Sequence, residues 1–175
     1  AQPAGDWGVK RDPFNQTDIA RYKAILRANP HDASALAKLL ELYRRYRTID
    51  ILKDEYAKLI DKNPDDVAAL VVMGRLQRAT GDDARALDLF QRAVDRRDND
   101  APTWLLIGEL EKGANKPRDA RAAYDKALGH AQAKDMKKKA LRALADLALA
   151  TGDNDAANAY FQRFLELDPR NAQLW

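Results

Sequence analysis

Residues 101–128 read APTWLLIGELEKGANKPRDARAAYDKAL, and this stretch decides the fold. Its first part places Trp104 and Gly108 four positions apart, and its second part does the same with Ala120 and Tyr124. Spacings of three and four residues are typical of one face of an amphipathic helix, and no part of the stretch alternates as a strand does. The stretch therefore predicts two helices joined by a short turn.

The same arrangement recurs along the chain with a period of 34 residues. Three series carry the period, and each has one longer step of 37 residues at the same place. Agreement among three series indicates a single three-residue insertion near residues 129–135. The series are Tyr22, Tyr56, Phe90, Tyr124 and Phe161; Leu36, Leu70, Trp104, Leu141 and Trp175; and Pro30, Pro64, Asp98, Asp135 and Pro169.

Turn residues separate the helices at regular points. Gly81 and Gly152 follow helical runs, and Asp82 and Asp153 are suited to cap the helices that come next. Pro117 lies in a first helical turn, where proline is tolerated. One helical pair cannot bury its own apolar face, so the pattern predicts an all-α superhelical solenoid whose core continues from pair to pair.

Composition excludes most enzyme classes. The chain has no Cys, which rules out disulfides, a thiol nucleophile and a Cys-ligated zinc site. Its two histidines, His31 and His130, have no partner at ligand spacing and are predicted to be solvated turn residues. The acidic pairs at residues 65–66 and 82–83 are interpreted as helix caps. We therefore predict a protein without catalytic activity, cofactor or metal.

Charge and hydropathy restrict the partners. There are 30 basic and 27 acidic side chains, so the net charge of +3 is spread over a mixed surface and gives no argument for nucleic acid. No apolar stretch is long enough to span a membrane. Two basic clusters, residues 44–47 and residues 134–142, are interpreted as solvated faces, with an anionic protein or lipid surface as the alternative.

The repeated residues resemble the tetratricopeptide repeat pattern. The matching positions are Leu36, Leu39, Tyr43, Tyr56 and Pro64; Leu70, Met73, Gly74, Ala86 and Phe90; Trp104, Ile107, Gly108, Ala120 and Tyr124; and Leu141, Leu144, Ala145, Ala157, Phe161 and Pro169. The first unit departs at Leu40, where Gly is usual, and at Leu52, where Ala is usual. Its two helices are therefore expected to lie further apart.

The resemblance implies a domain plan of four full repeats after a half repeat. Residues 1–14 form a leader that covers the apolar end or is disordered, and residues 15–32 form a lone helix with Tyr22, Ile25 and Leu26 on one face. The repeats are expected at 33–66, 67–100, 101–137 and 138–171. Residues 172–175 open a truncated fifth repeat.

In this family the first helix of each pair lines a concave groove. Positions 2, 5, 9 and 12 of each unit are then expected to face a partner, and they carry six basic, three acidic and several apolar side chains. We predict a groove for an extended or helical segment with acidic and apolar side chains. The predicted groove residues are Arg44, Val71, Arg75, Arg78, Leu105, Glu109, Lys112, Lys139, Arg142 and Asp146.

Two functions are compatible with this reading. The first is a non-enzymatic adaptor that holds a partner protein or peptide in the groove. The alternative is a structural spacer or self-assembly module of a longer protein, which would associate end to end through the unpaired C-terminal end and Trp175. A chaperone-docking carboxylate clamp is disfavoured, because the matching positions hold Ala37, Glu41, Val72, Pro102 and Leu106.

The compartment is inferred from the first residues alone. The chain starts with a polar, Ala-led stretch and no Met, which suits a secreted or periplasmic chain after removal of a signal peptide. The Ala- and Arg-rich helices suggest a bacterial source.

Overall fold

The structure, a computed structural model, describes residues 14–169. Within that range the chain is all-α, without strands, in antiparallel helices joined by short turns, which confirms the predicted fold class. The helices are α1 (Gln16–Ala28), α2 (Ala33–Tyr46), α3 (Ile49–Lys62), α4 (Val67–Ala79), α5 (Asp83–Arg96), α6 (Ala101–Gly113), α7 (Pro117–His130), α8 (Lys134–Ala150) and α9 (Asn154–Leu167).

The pairs α4/α5, α6/α7 and α8/α9 pack closely along their lengths. A small residue in the first helix makes this possible. A methyl group added at Gly74 would overlap the ring of Phe90, whose Cδ1 would lie 2.8 Å away, and one added at Gly108 would overlap the ring of Tyr124. Each ring fills the space that the glycine leaves free.

The first pair is different, as its larger residues predicted. The helices α2 and α3 pack less closely than the other pairs, with Leu40 and Leu52 buried between the surrounding helices. Helix α1 contacts α4 as well as α2. Helix α1 was predicted to be a half repeat, and in a regular array a half repeat would contact only the unit next to it. Because α1 also contacts α4 of the following unit, the α1–α2 hairpin departs from the regular stacking.

The turns have the capping chemistry that the sequence predicted. Gly81 and Gly152 adopt φ values of +83° and +79°, and the aspartate after each accepts a hydrogen bond from the backbone amide three residues further on. The α6–α7 turn uses Asn115, at φ 59°, for the same left-handed position. Pro117 is the first residue of α7.

The core divides into two clusters instead of continuing unbroken. The larger runs from Phe14 to Ala123, and the smaller lies among α7 and α8 around Tyr124 and Leu144. The division falls within α6, where Leu106 packs against the first cluster and Leu105 against the second.

The insertion is accommodated in α8, which has 17 residues and begins at Lys134, ahead of the fourth unit's expected start. At the other end Phe14, the last leader residue, is buried with its ring 5.1 Å from that of Tyr43, edge to face. The rest of the leader and the fifth repeat with Trp175 lie outside the described residues.

Candidate functional site

The predicted groove residues fall into two regions that differ in what covers them. Glu109 and Lys112 of α6 and Arg142 and Asp146 of α8 border open hollows, whereas Val71 of α4 is buried and Arg75 of α4 bonds to the α1–α2 turn. Arg78 of α4 pairs with Glu109 on the open side, and Leu105 of α6 packs against the smaller core cluster. Arg44 of α2 and Lys139 of α8 are exposed, and neither lines the hollows. The structure therefore brings together only part of the predicted set.

The open region consists of two adjoining hollows that share Asp146. One, of about 430 Å³, is lined by Glu109, Lys112 and Gly113 of α6, Tyr124 of α7, and Ala143 and Asp146 of α8. The other, of about 400 Å³, is lined by Arg142, Asp146 and Leu149 of α8 with Phe161, Phe164 and Leu165 of α9. We call this surface the open groove.

Charges of both signs surround the open groove. The Arg78 guanidinium lies 2.7 Å from the Glu109 carboxylate, and Arg142 lies 4.0 Å from Asp146 one turn further along α8. All four side chains are at least 37% exposed, so water weakens these pairs and a partner's charges can replace them. Lys112 is exposed beside them.

Apolar groups supply the floor and one wall. Tyr124 is only 2% exposed, and burial raises the pKa of its phenol to about 12, so the ring stays neutral at ordinary pH. Leu149 is half exposed, and Phe161, Phe164 and Leu165 of α9 are partly exposed beside it. The three α9 residues were not in the predicted set, because the prediction considered first helices alone.

The α4 region is covered instead of open. Val71 is fully buried, so its side chain is not presented to a partner in this structure. Arg75 is half-buried and donates hydrogen bonds to the backbone carbonyls of Pro30 and Asp32, the latter at 3.3 Å. Burial lowers the pKa of the Arg75 guanidinium, against the opposing effect of the Asp32 carboxylate.

The covering segment is the α1–α2 turn, residues 30–32. Its His31 Nε2 lies 3.0 Å from the Asp100 carboxylate and 3.3 Å from the Thr103 hydroxyl, at the start of α6. The Thr103 hydroxyl in turn donates to Asp100 at 2.8 Å. The prediction of a solvated histidine without a partner was therefore wrong for His31, whose side chain is 19% exposed.

Asp100 is ionised within this cluster. Its carboxyl is 8% exposed, and this burial acts to raise its pKa. The hydrogen bonds and charges of His31, Thr103 and Arg97 outweigh that effect, so the net result is a lowered pKa. The Asp100 carboxyl lies at the N-terminus of α6, where the helix dipole also favours its charged form.

Among residues 14–169, no group of three His, Asp or Glu side chains is placed to hold a metal ion. No helix in the same range is both long and apolar enough to cross a bilayer. The acidic pairs contribute caps, with Asp66 accepting from the Ala69 amide at 3.0 Å.

Helical hairpins stacked at a period of 34 residues define a helical-repeat solenoid, a class of fold that serves as a scaffold for protein interaction. A family model described as "Tetratricopeptide repeat" matches residues 53–102 and 105–172, more than half of the chain. The chain belongs to the tetratricopeptide repeat family.

Solved structures share the fold at low sequence identity. A crystal structure of MamA is 21% identical, with a TM-score of 0.66 and coverage of 89% of both chains. A MamA fragment from Desulfovibrio magneticus RS-1 is 14% identical, with a TM-score of 0.63 over 87% of this chain and 96% of the other. The Thermus thermophilus protein TTC0263, described as a thermophilic TPR protein, is 22% identical, with a TM-score of 0.58 over 89% and 84%. No curated protein matches the chain.

Proposed function

We propose that the protein is an adaptor that holds a partner segment in the open groove between α6, α8 and α9. The observation that carries the proposal is the combination of two adjoining hollows with an apolar wall and a charged rim. Such a surface fits a segment whose apolar side chains enter beside Leu149 and Phe164, and whose acidic side chains face Lys112 and Arg142.

The apolar wall supplies affinity and the rim supplies selectivity. Apolar area removed from water contributes roughly 25 cal/mol per Å², so the exposed α8 and α9 side chains are the main source of binding energy. The rim charges are solvated, and their main effects are on the rate of encounter and on the choice of partner. A partner without acidic groups would form no ion pair with Lys112 or Arg142.

Affinity capture with paired variants tests this function. Wild-type chain, Lys112→Glu/Arg142→Glu and Leu149→Glu would be used as baits in native extract, with bound proteins identified by mass spectrometry. We expect both variants to lose a protein that the wild type retains. Helical content by circular dichroism should be unchanged, because all three residues are exposed.

The control variants carry the same kinds of substitution at exposed positions outside the open groove. Lys58→Glu/Lys126→Glu changes two exposed lysines on second helices, and Ile51→Glu changes a 43% exposed apolar residue on α3. These variants should capture the same proteins as the wild type. Equal capture by the groove variants and the controls would refute the proposal, and so would the absence of any retained protein.

A spacer or self-assembly module is the second candidate function. Helix α9 buries only Ala157 and presents Phe161, Phe164 and Leu165 partly exposed, which favours association of this end with another surface. Sedimentation velocity over a range of concentrations tests it, with Phe164→Glu as the variant. Concentration-dependent dimers that the variant abolishes would support the spacer, and a monomer throughout would exclude it.

A further inference from the structure

The α1–α2 turn skips a whole repeat. In a solenoid each repeat contacts only its immediate neighbours. Residues 30–32 precede the first full repeat, yet His31 reaches Asp100 and Thr103, 69 and 72 residues further along the chain. The turn therefore contacts Arg75 in the second half of α4 and the start of α6, instead of lying beside the start of α4.

We propose that the α1–α2 hairpin is an intramolecular occupant of the groove, which closes the α4 part of it to partners. The proposal rests on the groove function above and adds a regulation to it: the surface available to a partner depends on whether the hairpin is docked. When the hairpin is docked, only the open groove is available to a partner. When the hairpin is released, the available surface would also include the α4 residues Val71 and Arg75.

The contacts made by the hairpin are those that a partner was predicted to make. Val71 and Arg75 occupy the fifth and ninth positions of the second unit, both predicted to face a partner. The first is completely buried, and the turn accepts hydrogen bonds from the second. The chain thus fills part of its own predicted groove with the α1–α2 turn.

The acceptors that the turn offers to Arg75 carry no net charge. The guanidinium donates to neutral backbone carbonyls, while the nearby Asp32 carboxylate accepts from the Ala35 amide as the cap of α2. A carboxylate can accept two parallel hydrogen bonds from a guanidinium and adds the attraction between opposite charges. An acidic side chain of a partner would therefore compete well with the turn for Arg75.

The hairpin also fits imperfectly on the helices below it. A cleft of about 480 Å³ remains between α1, α3 and α4, with apolar walls that include Leu26, Tyr56, Leu59 and Val72. Close packing would fill such a space. At its other end the hairpin is held to α3, where the Glu55 carboxylate accepts from Lys23 and from the Tyr43 hydroxyl, the latter at 3.0 Å. This attachment provides a hinge about which the turn can lift.

Thiol accessibility tests the docked state without any partner. The chain has no Cys, so Val71→Cys places a single thiol under the hairpin and Val94→Cys places one in the α5 core, at 0% and 1% exposure respectively. Alkylation by iodoacetamide would be measured for both, with and without His31→Ala. We expect His31→Ala to raise the rate at position 71 at least tenfold and to leave position 94 unchanged.

Two variants keep this result interpretable. His31→Gln retains a hydrogen-bond donor for Asp100 and should restore slow alkylation at position 71. Arg78→Met removes a neighbouring arginine of α4 that does not contact the turn, and should leave the rate at position 71 unchanged. Equal rates with and without His31, or equal acceleration at positions 71 and 94, would overturn the proposal.

Competition is tested with the protein identified in the capture experiment, titrated against wild-type and His31→Ala chains by calorimetry. Release of the hairpin should tighten binding at least fivefold, because in the wild type the α4 part of the groove becomes available only after the hairpin has undocked. Unchanged affinity would refute closure of the groove. If no protein is captured, the adaptor function fails, while the alkylation rates still decide whether the hairpin covers α4.

Discussion

Gly108 determines how closely α6 and α7 approach, and through them the depth of the open groove. The glycine sits against the ring of Tyr124, which forms the floor of the hollow beside Lys112 and Asp146. A larger residue would have to displace a ring that is only 2% exposed. The groove thus depends on a residue that no partner touches.

We expect Gly108→Ala to lower the free energy of unfolding by about 1–3 kcal/mol, because the added methyl overlaps a buried ring that has little room to move. The control is Gly113→Ala in the same helix, where an added Cβ meets nothing within 4 Å. Urea unfolding followed by circular dichroism would compare the two. Similar stability of both variants would show that Tyr124 relaxes freely.

Single residues also mark the limit of what the sequence predicted. Gly74 and Gly108 could be recognised because each repeats at a fixed period opposite an aromatic ring. The contact of His31 with Asp100 could not, because nothing in the local sequence relates residues 69 positions apart. The departures at Leu40 and Leu52 did indicate from the sequence that the first pair is irregular, but they did not relate it to α6.

At the scale of helices, the first pair shows what happens when small residues are replaced by large ones. Leu52 occupies the position of Ala86, Ala120 and Ala157 in the later units, and it is fully buried. Its larger side chain therefore keeps α2 further from α3 and occupies the volume between them. The groove prediction placed the same positions of every unit on an open face, and for this reason it did not anticipate the burial of Val71.

Leu52→Ala should reduce stability by about 2–5 kcal/mol, since removing a buried leucine side chain leaves a cavity that fixed neighbours cannot fill. Its neighbour Ile51 is 43% exposed, so Ile51→Ala should change stability by less than about 0.5 kcal/mol. Thermal and urea unfolding would measure both. A small effect at Leu52 would mean that α2 collapses onto α3 when the spacer is removed.

At the scale of the whole molecule, burial is uneven along the array. Helix α4 buries eight residues, from Ala69 to Gln77, whereas α9 buries only Ala157. The sequence predicted both helices from the same periodicity, because periodicity identifies a helix and does not measure what covers it. How deeply a helix is buried depends on the helices of neighbouring units, and the residue pattern within one unit carries no information about them.

Native-state hydrogen exchange should therefore show a gradient. Amides in α9 should exchange faster than those in α4 and α5, since few buried contacts must break to open that helix. Mass spectrometry of peptic peptides from the 175-residue chain would measure this, with Phe164→Glu expected to leave protection in α4 unchanged. Uniform protection from α1 to α9 would indicate a single cooperative unit.

The reach of the α1–α2 turn to α6 also bears on how the protein is made. His31 leaves the ribosome 72 residues ahead of Thr103. At about 5–20 residues per second, roughly 4–14 s pass before its binding site is synthesised. During that interval the hairpin can meet α3 and α4, but the partners of His31 at the start of α6 are still missing. The docking of the turn is thus completed only after α6 has been synthesised.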